Sequence, residues 1–103
     1  MEAVAILVSG TPVIRARAHM QRLGWLAEVP VREDEFIVVG KPGQSLRMEA
    51  LRLRFDDGRI CAIAHVQHSG WQEWFCSPPT GGTVEVGTTG KSLRMEAIAL
   101  EIS

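Results

Sequence analysis

The sequence has no tyrosine, 6% aromatic residues and two cysteines, and its 11 basic and 12 acidic residues nearly cancel to a formal charge of −1. Each scarcity excludes something. Cys61 and Cys76 have neither the density of a disulfide scaffold nor zinc-type spacing, so both are expected as buried thiols, with a bridge between them as the lesser alternative. Balanced charge without a run of one sign leaves no stripe to track phosphates and no face to adsorb to a membrane, so nucleic acid is not an expected partner. The apolar opening Ala3 to Val8 is too short to span a bilayer, and membrane insertion is not expected. It also lacks the basic region and cleavage pattern of a signal peptide, which leaves localisation open.

Catalytic patterns are missing as well. Asp56-Asp57 sits in a turn closed by Gly58, which accounts for the paired carboxylates. No Ser-His-Asp or Cys-His arrangement is suggested by local spacing, and no glycine-rich phosphate loop follows a strand and opens a helix. The expectation is a non-enzyme without metal or cofactor.

What the 103 residues do contain, at 46% hydrophobic and 22% charged, fits one globular domain. A chain of this size buries roughly two thirds of its unfolded surface, so the core is small and a homodimer or higher homo-oligomer is expected.

The sequence repeats itself. Ser45-Leu46-Arg47-Met48-Glu49-Ala50-Leu51 returns as Ser92-Leu93-Arg94-Met95-Glu96-Ala97-Ile98, and Met1-Glu2-Ala3-Val4 is a third, partial copy. Upstream, Ala18-His19-Met20-Gln21 with Gly24-Trp25 answers Ala64-His65-Val66-Gln67 with Gly70-Trp71. The first offset is 47 and the second 46, so one residue is gained before Gly87. Self-similarity on this scale marks one supersecondary unit used repeatedly. The chain divides into a partial strand at 1–9, unit 1 at 10–56 and unit 2 at 57–103, within a single domain.

Ile14 to His19 and Ile60 to His65 have two-residue character and read as strands. Phe36 to Val39 and Thr83 to Val86 carry β formers. Leu51 to Phe55 alternates strictly, and Ala99 to Ile102 does something similar. Ser45 to Leu53 is rich in helix formers, but its tail alternates with period two, so a helix is rejected. Lys41-Pro42-Gly43, Asp56-Asp57-Gly58, Ser77 to Gly82 and Thr88-Thr89-Gly90 supply turns. The fold class is all-β, a pseudo-symmetric tandem repeat of roughly four short strands per unit, prism-like, with a trefoil-like arrangement as the alternative. Leu51, Leu53, Ile98 and Leu100 are expected on the inner faces.

Ala64-His65-Val66-Gln67, Gly70-Trp71-Gln72 with Trp74, and Gly87 to Ile98 together resemble the clostridial hydrophobic repeat with conserved tryptophan. Unit 1 resembles it more loosely, with Leu26 in place of Gln72, Glu28 in place of Trp74 and Lys41-Pro42 in place of Thr88-Thr89. The resemblance implies a bacterial secreted or cell-surface module. Similar repeats build a Streptomyces agglutinin that binds rhamnose and galactose, so the resemblance also implies a lectin for neutral sugars on cell-surface glycans. The rival expectation is a non-catalytic structural or adhesion module that binds protein or assembles with itself.

The residue types suit a sugar, whose hydroxyls pair with His, Gln and Glu and whose C–H face rests on Trp. The candidate ligand set is His65, Gln67, Trp71, Gln72, Trp74, Thr88, Thr89, Arg94 and Glu96, with His19, Gln21, Trp25 and Glu49 in unit 1. Plainer roles stand beside these. Trp25 and Trp71 follow Gly in both copies and read first as core packing. The histidines suit hydrogen-bonded strand positions, the recurring glutamates suit turn or backbone acceptors, and Arg52 and Arg54 suit a solvated strand face. Trp74 with Gln72 discriminates: a sugar site needs them exposed together, a scaffold packs them away.

Overall fold

The computed structural model describes residues 2–7, 13–32, 36–41, 43 and 45–102. Two seven-residue strands, Ile14–Met20 (β2) and Ile60–Val66 (β7), realise the two-residue pattern by burying every second side chain. Around them run Ala3–Leu7 (β1), Gly24–Trp25 (β3), Val29–Val31 (β4), Phe36–Gly40 (β5), Met48–Phe55 (β6), Gly70–Trp71 (β8), Phe75–Cys76 (β9), Gly82–Gly87 (β10) and Met95–Ile102 (β11). There is no helix among the described residues, and Met48 to Leu53 is strand, as expected. Each unit has five strands instead of four, because the short pieces around each Gly-Trp pair with the long strand before them. Pro42, in the expected turn after Lys41, lies outside the described residues, as do residues 8–9 of the opening segment.

All pairings are antiparallel, in three sheets. β1 pairs with β5; β6 lies between β10 and β2; β11 pairs with β7. A strand of one unit thus completes a sheet of the preceding unit, as β10 does for β6 and β5 for β1. Gly40 and Gly87 hold these crossings at φ 114° and 88°. A Cβ at either would collide with the backbone at Glu2-Ala3 or Glu49-Ala50, so both chain conformation and space require glycine. The two positions are 47 apart, which places the inserted residue before Gly87.

The core draws on Ile14, Met20, Met48, Leu51, Leu53, Ile60, Val66, Val86 and Met95. Leu51 and Leu53 are fully buried as expected. Ile98 and Leu100 are only half-buried, which corrects the expectation for unit 2. β11 has a neighbour on one edge where β6 has one on each, so its inner face is less covered.

The cysteines form a disulfide, which corrects the reading of two free thiols. Cys61 and Cys76 face each other across β7 and β9. The register is fixed beside them: the Ile60 N–H donates to Ser77 Oγ at 2.9 Å and the Ser77 N–H to the Ile60 carbonyl at 2.8 Å. A spacing of 15 residues does not reveal that pairing; the hairpin geometry does.

Candidate ligand-binding site

One polar constellation occurs twice. Near the end of β2 the strand register with β6 shifts, so that His19 pairs with Ala50 and Met20 with Met48, leaving Glu49 in a bulge. The same shift between Met95 and Ala97 leaves Glu96 bulged beside His65. A bulge re-aims a side chain, and here it swings a carboxylate toward the histidine of the neighbouring strand. His19 Nδ1 and His65 Nδ1 each lie 3.1 Å from Oε1 of their glutamate and donate to it. In a neutral ring this leaves Nε2 as an acceptor.

The second carboxylate oxygen receives an arginine, Arg47 Nε on Glu49 and Arg94 Nη2 on Glu96, both at 3.3 Å. Gln21 and Gln67 lock the arginine backbones, since each accepts the arginine N–H on its side chain, while its own N–H donates to the arginine carbonyl at 2.9 Å. Each histidine then meets a tryptophan edge to face, His19 with Trp25 at 5.1 Å and His65 with Trp71 at 5.2 Å between centroids. His, Gln, Trp, Arg and Glu therefore converge in both units. Arg47 was not among the expected site residues, although the 47-residue offset from Arg94 points to it.

The surroundings differ. The Arg52 guanidinium lies 4.2 Å from the centroid of Trp25 and that of Arg17 5.6 Å, while Arg52 also pairs with Glu85 at 2.7 Å. Arg17 and Arg52 correspond to Ile63 and Ala99 in unit 2, and among the described residues no guanidinium lies over Trp71. Trp71 is 56% exposed, and Trp74 and Phe75 are 49% and 44% exposed. The expectation that Trp71 packs in the core is thus corrected. Its ring stands on the outward face of β8, opposite His65.

The glutamates differ in the same sense. Glu49 is buried and Glu96 is exposed. The Thr88 N–H donates to the Glu49 carbonyl at 2.9 Å, so the loop after β10 lies against the unit 1 constellation. Thr88 is half-buried, its hydroxyl without a hydrogen-bond partner among the described residues, and Thr89 is exposed. Gln72 is half-buried and clamps Gly87, accepting its N–H at 2.9 Å and donating to its carbonyl at 3.1 Å. The discriminating pair is therefore split: Trp74 is exposed, and the Gln72 amide is engaged by backbone. Arg52 and Arg54 do lie on the outer strand face, where Arg54 pairs with Glu28 at 3.5 Å.

No group of three metal-ligating side chains is gathered among the described residues. The pairing and the recurring site define an all-β tandem-repeat protein with one polar, tryptophan-edged constellation per unit. The family model described as ChW, clostridial hydrophobic W, matches residues 65–103. The match begins at His65 and includes Gln67, Trp71, Arg94 and Glu96. No curated protein and no solved structure matches the chain.

Proposed function

We propose that the chain is a non-catalytic carbohydrate-binding module whose competent site is in unit 2, built on a prism-like arrangement of repeats. The observation that carries this reading is the uncapped Trp71 ring beside the His65–Glu96–Arg94 triplet. An exposed aromatic face offers a sugar a surface for its C–H bonds, and a histidine held by a carboxylate offers a fixed polar edge for its hydroxyls. Unit 1 contains the same polar set, but its tryptophan face carries Arg52, so it is a decayed or differently selective site. The disulfide fits a secreted or cell-surface setting, where such bonds persist.

Neutral sugars of the rhamnose and galactose type are the first ligands to test, since the site contains both an apolar platform and paired donors and acceptors. A glycan array on the purified protein, with its oligomeric state recorded on the same sample, is expected to give selective binding that free sugar competes away. A blank array from folded protein would replace this reading with a structural module.

A further inference from the structure

We infer that unit 1 binds a carboxylated sugar of the hexuronate type, in a cavity on the outer face of β2 and β6 where Arg17 and Arg54 take the carboxylate and Glu28 takes a hydroxyl. The inference rests on the carbohydrate reading for its ligand class, but it concerns the other unit and a different set of side chains.

Strand register builds the site. Arg17 stands directly opposite Arg52, and Arg15 directly opposite Arg54, so four guanidiniums share one face of an antiparallel pair. Like charges at opposed positions destabilise a sheet unless a group of the other sign lies between them. The fold supplies such groups for two of the four. Arg52 pairs with Glu85 at 2.7 Å and lies over Trp25, while Arg54 reaches Glu28 at 3.5 Å and Asp56 at 3.8 Å. Among the described residues, Arg15 and Arg17 have no carboxylate within ion-pair distance. Arg17 donates its Nε to the Leu26 carbonyl at 3.0 Å, which fixes the guanidinium and leaves its Nη edge for a ligand. Arg17, Glu28, Arg52, Arg54 and Thr83 line one cavity of about 150 Å³. Thr83 belongs to β10, opposite Arg54, so both units contribute to the wall.

This lining selects among anions. A planar carboxylate matches the guanidinium fork through two parallel hydrogen bonds. Glu28 repels an ion that is anionic on every side, such as sulfate, yet it accepts from hydroxyls, and Thr83 both donates and accepts. A ligand that joins one carboxylate to neighbouring hydroxyls meets all of these groups, and a uronic acid has that chemistry. The apolar route is closed, because the Arg52 guanidinium occupies the Trp25 face at 4.2 Å. Unit 2 supplies the contrast within the same chain. Ile63, Glu101 and Trp74 stand there in place of Arg17, Arg54 and Glu28, and Glu101 would repel a carboxylate.

The test is NMR titration of the full chain with D-galacturonate and D-glucuronate, beside D-galactose, galactose 6-sulfate and sodium sulfate. A uronate is expected to shift amides around Arg17, Glu28 and Arg54, and to bind more weakly as ionic strength rises. Arg17→Gln, which keeps a donor for the Leu26 carbonyl, should lower uronate affinity about tenfold or more in a protein whose melt shows it folded. Sulfate or galactose 6-sulfate bound as tightly at the same amides would overturn the carboxylate assignment, and so would galactose bound there equally well. Uronate shifts centred on β7 and β8, or uronate affinity unchanged by Arg17→Gln, would overturn the location. No uronate binding by a chain that binds galactose through unit 2 would overturn this inference and leave the proposed function standing. Uronate binding at β2 and β6 without any galactose binding would do the reverse.

Discussion

Units 1 and 2 hold the same five side chains in the same geometry, yet one tryptophan lies beneath a guanidinium and the other is bare. The polar constellation is set by strand register and the bulge, which both units share. The platform is set by what β2 and β6, or β7 and β11, turn outward. Arg15, Arg17, Arg52 and Arg54 in unit 1 become Cys61, Ile63, Ala99 and Glu101 in unit 2. A conserved frame can thus present either a closed, ion-paired face or an open, apolar one, with the difference carried by four alternate positions.

The largest effect should separate the two inner faces. Leu53→Ala removes a fully buried side chain and is expected to cost about 2–5 kcal/mol, whereas its counterpart Leu100→Ala, already half-exposed, should cost roughly half as much or less. Denaturant unfolding of both variants checks this; equal losses would show that β11 is covered as fully as β6. Reduction, or Cys61→Ser with Cys76→Ser, should cost about 3 kcal/mol for a loop of this length. Amide exchange on the double variant should locate that loss in β7 to β9 and leave β2 to β4 protected.

Smaller effects should follow at the constellations. Glu49→Gln weakens two charge-assisted hydrogen bonds at a buried position and should cost about 1.5–3 kcal/mol, while Glu96→Gln at the exposed copy should cost less than 1. Thermal melts of the pair give the ratio. The slightest change in stability, within about 1 kcal/mol, is expected from Arg52→Ala, which uncaps Trp25. If the cap is what distinguishes the units, this variant should gain a second sugar site in titration, and an unchanged stoichiometry would place the difference elsewhere.

Much of this frame was legible in the sequence, for a physical reason: a repeat displays its own spacing. The offsets of 46 and 47 located the long strands, the inserted residue and nearly all the constellation, and alternation in Leu51 to Phe55 revealed its buried face. Three features were hidden. The disulfide depends on Cys76 lying opposite Cys61 in a two-residue strand too short to show periodicity. The exposure of Trp71 depends on the absence of arginine at positions 63 and 99, distant in sequence from the ring they fail to cover. The placement of Thr88 against Glu49 depends on β10 crossing to the sheet of the preceding unit. Each is a relation between segments, which composition and local pattern do not encode.

The most direct test of the central claim is calorimetric titration of L-rhamnose and D-galactose into the parent chain, Trp71→Ala and Trp25→Ala, with the fold of each checked by its melt. The account expects binding by the parent and by Trp25→Ala, and its loss in a folded Trp71→Ala. Sugar binding that survives Trp71→Ala unchanged would contradict it.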